Sequence, residues 1–221
     1  MDISLMEVLG PVLIGPSSSH TAGAARLARA AAQIAGPFVR VEFGLHGSLA
    51  ETGLGHGTHK ALLAGAMGLR EDDEALRDAY ALAQQRGVEY SFEEIDLPDA
   101  HENTARITFI RADGSRCQVQ GSSIGGGRIR ITGIDGMPVE ITGEAPTLLV
   151  LQRDVKGVVS AISRVLAEYD LNIGIMRVAR TAKGRTAATV VETDSPIPPQ
   201  AARELETLPD ILSAQVIFLQ G

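Results

Sequence analysis

The chain has 221 residues, with 20 Lys and Arg against 27 Asp and Glu for a formal net charge of −7; 44% of residues are hydrophobic and 21% charged. This composition excludes a disordered chain and allows one large domain or two small ones. Aromatics at 4%, no dense Lys/Arg run, and no apolar stretch of the roughly 18–20 residues that a bilayer demands argue against nucleic acid and membrane as partners.

A single cysteine, Cys117, rules out an internal disulfide and a thiolate cage within one chain. No basic and then apolar segment follows Met1, so the expected compartment is the reducing cytoplasm.

The string Gly15-Pro16-Ser17-Ser18-Ser19-His20-Thr21-Ala22-Gly23 runs into an alanine-rich helix predicted to reach Ala35, with Arg26, Arg29 and Gln33 as a narrow polar stripe. Hydroxyls at a helix start accept bonds from its free amides, and those amides with the helix dipole form an anion site. Three serines, a threonine and an imidazole there suit a carboxylate or phosphate, with His20 able to donate a hydrogen bond or move a proton. A plain serine cap with idle neighbours is the alternative.

Val39, Val41, Phe43 and Leu45 alternate with polar residues and predict a half-buried strand ending at His46-Gly47-Ser48. The turn Gly53-Leu54-Gly55-His56-Gly57-Thr58-His59 opens a helix expected over 58–69. His56 and His59, three apart, are expected to face one site if the helix has begun. A polar substrate or interface site is favoured there over a metal, because Glu51 is the only candidate carboxylate nearby. Another helix is expected over 73–86. Residues 71–102 carry eleven acidic residues against Arg77 and Arg86, a local net of −9 that leaves +2 elsewhere, and they read as a solvated face.

Asp113-Gly114 and Asp135-Gly136 mark two hairpins, joining 106–111 to 116–120 and 128–132 to 138–142. Between them, Gly121-Ser122-Ser123-Ile124-Gly125-Gly126-Gly127 lacks the Lys-Ser/Thr of a nucleotide loop. It reads either as backbone presented to a ligand or as a bend. Cys117 falls on a predicted strand as a packed small side chain. Residues 1–144 are thus read as an α+β domain, with Glu144-Ala145-Pro146 as the linker.

Beyond the linker the pattern is regular. Leu148-Leu149-Val150-Leu151 predicts a buried strand, and Val158, Ile162, Val165, Leu166 and Tyr169 one helical face. Strands follow over 173–178 and 186–192, joined by a turn at Lys183-Gly184. Pro198-Pro199 opens a second helix with Ala201, Leu205 and Leu208 inward, and 216–219 is the last strand. The order βαββαβ is that of a ferredoxin-like α+β sandwich over 148–221.

Taken together, Gly15-Pro16-Ser17-Ser18-Ser19-His20-Thr21, His46-Gly47-Ser48, Gly55-His56-Gly57-Thr58 and Gly125-Gly126-Gly127 resemble the beta chain of the iron–sulfur-dependent L-serine dehydratases (L-serine ammonia-lyases), over nearly the whole length. Residues 1–144 are similar to the allosteric-substrate-binding-type domain also found in some phosphoglycerate dehydrogenases, and 148–221 to an ACT domain. The resemblance implies conversion of L-serine to pyruvate and ammonia, without pyridoxal phosphate. A [4Fe-4S] cluster held by a partner alpha chain acts on the substrate hydroxyl; none is bound by this chain alone, and the chain is expected to be inactive alone.

The resemblance further assigns Ser17, Ser18, Ser19, Thr21, His46, Ser48, Gly125, Gly126 and Gly127 to substrate binding, and His20, His56 and His59 to catalysis, with His56 or His59 as a proton carrier. In the ACT part it points to Asp154, Gly157 and Asn172 as effector-binding residues. The Pro-Gly common after the first strand of such domains is Lys156-Gly157 here, so effector binding and pure self-association through this domain both stand. The alternative function is a non-catalytic regulatory subunit that senses an amino acid.

Overall fold

The computed structural model describes residues 17–219; Gly15 and Pro16 of the first motif lie outside them. The chain forms two compact units, Met1–Arg130 and Ile131–Gly221, and the fold class is mixed α+β.

In the first unit, a π-helical segment over Ser18–Gly23 leads into α1 (Ala24–Ala35). Ser17 is the extended cap (φ −137°, ψ 125°), and its hydroxyl accepts the amide proton of His20. Alanine is the best helix former and the least bulky, so α1 is both stable and thin: Ala24, Ala25, Ala28, Ala30 and Ala31 are fully buried. Its partner is α3 (Thr58–Ala66). Their closest approach is at Gly65, where an added Cβ would overlap the carbonyl oxygen of Ala25. The C-terminal carbonyl of α1 is capped by Arg111, whose Nε and Nη2 donate to Ala35 O at 3.0 and 2.7 Å.

Strand β1 (Arg40–Leu45) ends in a turn to the single-turn helix α2 (Ser48–Thr52). After α3, Asp73 accepts from the Ala75 amide and starts a 3₁₀ turn (Glu74–Asp78), which leads into α4 (Ala79–Arg86). The continuous helix expected over 73–86 is therefore split, because the Asp73 cap tightens its first turn. Strand β2 (Glu89–Glu94) pairs parallel to β1 and was not expected. Strands β3 (Thr104–Ile110), β4 (Arg116–Gly125), β5 (Arg128–Ile134) and β6 (Met137–Ile141) include the two expected hairpins. The strand order is β2-β1-β3-β4-β5-β6. Helix α1 packs on β3 and β4, over a core that includes Phe43, Phe109, Ile107 and Leu27, each fully buried.

The acidic stretch is not wholly solvated. Glu71 is 7% exposed and sits between Arg26 and Arg29 at 3.6 and 3.3 Å. The polar stripe of α1 is thus answered by a carboxylate rather than by water. Burial pulls the Arg29 guanidinium below its ordinary pKa, and Glu71 opposes that shift.

The second unit takes in the end of β5 and β6 and continues through β7 (Thr147–Arg153), α5 (Val158–Glu168), β8 (Ile173–Arg180), β9 (Thr186–Thr193), α6 (Pro199–Glu206) and β10 (Ile211–Ile217). The order βαββαβ is as read from the sequence, with the last strand starting five residues earlier than 216. The sheet order β10-β7-β9-β8 is antiparallel throughout. Leu148, Val150, Ile162, Leu166, Val191 and Leu205 form its core, the helical and strand periodicities meeting on one face. Strand β6 packs beside β8 and β9, with Glu140 3.6 Å from Arg177.

Candidate functional site

The site of the first unit is built where the start of the long helix meets the β1–α2 turn. That turn is held from below: the amides of His46 and Ser48 donate to Thr104 O (3.0 Å) and Glu102 O (2.8 Å). Gly47 has φ 54°, and a side chain there would press on the Glu102 backbone. Ser48 is thereby fixed opposite the π-helical segment.

His20 is the hub. Its Nδ1 is 3.2 Å from Ser17 Oγ; its Nε2 is 3.0 Å from Ser48 Oγ and 3.1 Å from Thr52 Oγ1. Thr52 Oγ1 also donates to Ser48 O at 2.9 Å, one turn back on α2. The His56 ring lies 5.0 Å from the His20 ring, tilted by 45°, and the His56 carbonyl accepts from Thr21 Oγ1 at 3.0 Å. His56 Nδ1 is buried and has no hydrogen-bond partner among the described residues. A buried ring nitrogen without a partner is costly to leave so and fits a group awaiting one.

A floor of hydroxyls from β4 completes the surroundings. Gly23, at the end of the π-helical segment, lies so close to Ser123 that a Cβ would overlap its Oγ; only glycine permits this approach. Ser123 Oγ is buried without a partner among the described residues, while its neighbour Ser122 bonds Thr104 at 2.7 Å. The Gly125-Gly126-Gly127 turn has φ of 93°, 62° and 74°, and a Cβ added at Gly127 would come into van der Waals contact with Ala22. The glycine run is therefore beside the serine–histidine segment. A π-helical turn is an uncommon element that recurs at functional sites.

Of the residues expected from the sequence, the structure gathers Ser17, His20, Thr21, Ser48 and His56, with Ser18 and Ser19 half-buried on the same turn. It sends His59 elsewhere: its ring stacks on Phe92 at 4.1 Å, and Phe92 stacks on Phe43. Gly57 is left-handed and α3 begins only at Thr58, so His56 lies outside the helix and the spacing of three does not align the two rings. Burial lowers the His59 pKa below its ordinary value of 6.5. His46 Nδ1 accepts from the Leu97 amide (3.2 Å), with Asp96 at 3.8 Å, so its imidazole is tied to the 96–97 loop.

Thr52 was missed. Its signal is weak: a serine and a threonine four apart, on one side of a helix too short to show periodicity. The wide groove of the unit, about 560 Å³ and lined by Arg29, Phe38, Met67 and Arg86 among others, is at the C-terminal ends of α1 and α3. Its α1 lining residues, Arg29, Ala32 and Gln33, lie nine to thirteen residues beyond His20.

In the second unit, Gly157 (φ 92°) precedes α5 and borders a cavity of about 180 Å³ with Lys156, Val158, Ala161 and Leu208. Asp154 accepts from the Gly184 amide at 2.9 Å and from Arg180 at 3.0 Å, which holds its carboxyl below the usual range. Asn172 donates to Asp194 at 2.6 Å. Neither side chain lines that cavity. No helix among the described residues is long and apolar enough to cross a membrane.

A hydroxyl-and-imidazole site at a helix start, followed by a βαββαβ sandwich, defines a two-unit α+β protein whose second unit is ferredoxin-like. Residues 4–90 match the family model described as serine dehydratase beta chain, and residues 146–210 the ACT domain model. The chain is 38% identical over 215 residues to a probable L-serine dehydratase beta chain of Bacillus subtilis (strain 168), covering 97% of each. It is 39% identical over 198 residues to the L-serine dehydratase beta chain of Peptoniphilus asaccharolyticus, covering 89% of each. A D-3-phosphoglycerate dehydrogenase of Bacillus subtilis is 27% identical over 161 residues, covering 72% of this chain and 30% of that one. The chain belongs to the serine dehydratase beta chain family.

Proposed function

We propose that this chain is the beta subunit of an iron–sulfur-dependent L-serine ammonia-lyase of the cytoplasm, and that it supplies substrate-binding and proton-handling groups to an active site completed by an alpha chain. The observation that carries the reading is His20, bonded to three hydroxyls from two elements and 5.0 Å from His56, whose Nδ1 is buried and unpartnered among the described residues. Ser17, Ser18, Ser19 and Thr21 at the helix start receive the L-serine carboxylate, where amides and dipole favour an anion. Ser48 and the Gly125-Gly126-Gly127 turn border the same space. His20 exchanges a proton with the substrate, and His56 is the second proton carrier.

The cluster belongs to the alpha chain in this reading. This chain has one cysteine, Cys117, buried on β4. Its own residues do not fit an iron–sulfur cluster. For the ACT unit, self-association is supported by β8, which is an edge strand and exposes Ile175 and Val178.

The test is co-expression with the alpha chain, anaerobic purification and assay of pyruvate formation. His20→Gln is expected to lower turnover by about 100-fold to 10,000-fold with the cluster absorbance unchanged. Near-normal turnover of that variant at saturating L-serine overturns the catalytic assignment, and failure to co-purify with an alpha chain overturns the subunit assignment.

A further inference from the structure

We infer that Thr52 is a positioning residue that holds His20 as its Nε2–H tautomer, leaving Nδ1, hydrogen-bonded to Ser17, as the atom that takes up a proton. The catalytic consequence rests on the function proposed above; the tautomer does not.

A threonine hydroxyl has one proton, and that of Thr52 is committed to Ser48 O at 2.9 Å. Toward His20 Nε2, 3.1 Å away, Thr52 therefore offers only lone pairs. Ser48 Oγ stands 3.0 Å from the same nitrogen. An unprotonated Nε2 would set its lone pair against that of Thr52, and no rotation of the threonine hydroxyl relieves this without breaking its bond to Ser48. With a proton on Nε2, one shared N–H serves both oxygens.

The other side of the ring agrees. Ser17 Oγ already accepts the His20 backbone amide at 3.2 Å, which leaves its own proton for Nδ1, also at 3.2 Å. Each proton is then used once. The tautomer of a histidine is set by the bond its other nitrogen makes, and here that partner is Thr52. When Nδ1 takes up a proton the Ser17 bond reverses: Nδ1–H donates to Ser17 Oγ, and the serine proton turns toward the helix start where the carboxylate is proposed to bind.

The experiment is ¹⁵N NMR of the full chain with labelled histidine, at a pH where the imidazoles are neutral, on wild type, Thr52→Val and Thr52→Ser. Thr52 is exposed and valine is close to its shape, so the fold is retained; an unchanged amide spectrum outside 17–59 verifies this. Expected are a protonated Nε2 and an unprotonated Nδ1 for His20 in wild type and Thr52→Ser, and a shift of Nε2 toward the unprotonated range in Thr52→Val. In the complex with the alpha chain, Thr52→Val is expected to lower kcat about 3-fold to 10-fold, the loss of one net hydrogen bond, with restoration by Thr52→Ser. A protonated Nδ1 in wild type, or a Thr52→Val spectrum identical to wild type, overturns the inference. If the tautomer is as expected while His20→Gln turns over normally, the proposed function fails and the tautomer assignment stands.

Discussion

Glu71→Ala is expected to be among the most damaging single changes in the first unit. The carboxylate is 9% exposed as a side chain, and it is the acid shared by Arg26 and Arg29, themselves 17% and 12% exposed. Removing one partner from a buried ionic group costs about 3–5 kcal/mol, because the remaining charge is left without compensation. The two separations, 3.6 and 3.3 Å, are longer than an ideal charge-assisted bond, and both guanidiniums keep some water. The lower end, about 3 kcal/mol, is therefore expected, a melting-temperature drop of about 6–12 °C for a chain of this size. Urea denaturation followed by circular dichroism measures it. Glu71→Ala/Arg29→Met is expected to recover part of the loss, since it removes one of the two guanidiniums that Glu71 serves. A change below about 0.5 kcal/mol for Glu71→Ala would refute the reasoning and return Glu71 to the solvated face read from its sequence neighbourhood.

Gly65→Ala is expected to cost about 1–3 kcal/mol through overpacking, because the new Cβ meets Ala25 backbone atoms, its C and Cα at 2.8 and 2.9 Å; a urea midpoint equal to wild type would show that α1 yields without strain. His59→Phe keeps the stack on Phe92 and removes a titrating group. His59 has a folded-state pKa below 6.5, so between those values the unfolded chain binds more protons and wild-type stability falls as the pH is lowered from about 6.5. His59→Phe is expected to lose that slope while matching wild type above pH about 7; parallel midpoint-versus-pH curves would contradict it.

How much was legible in the sequence differs by element. The second unit is legible because its strands and helices each carry one clean period, as in Val158, Ile162 and Val165 facing a buried Leu148 and Val150. Strand β2 was hidden because Glu89-Tyr90-Ser91-Phe92-Glu93-Glu94 buries no position fully, and pairing to β1 by backbone bonds leaves no hydrophobic pattern. Within the site, Ser17, His20 and Thr21 announce themselves as a cluster, whereas Thr52 acts only through a bond back to Ser48 and across to His20, a relation that exists after α2 has formed. His56 and His59 look equivalent in the sequence, yet the left-handed Gly57 sends one ring to His20 and the other to Phe92. Glu71 reads as one more acid in a run of acids, and only tertiary packing reveals its two arginine partners.

Strand β2 also bears on what the protein avoids. It is a terminal strand of its sheet, and its outward groups include Glu89, Glu93 and Glu94. A second copy attempting to zip onto this rim would bring a run of like charges close together, which opposes cross-β stacking. Carboxylates along the border thus act as a fence against growth by strand addition.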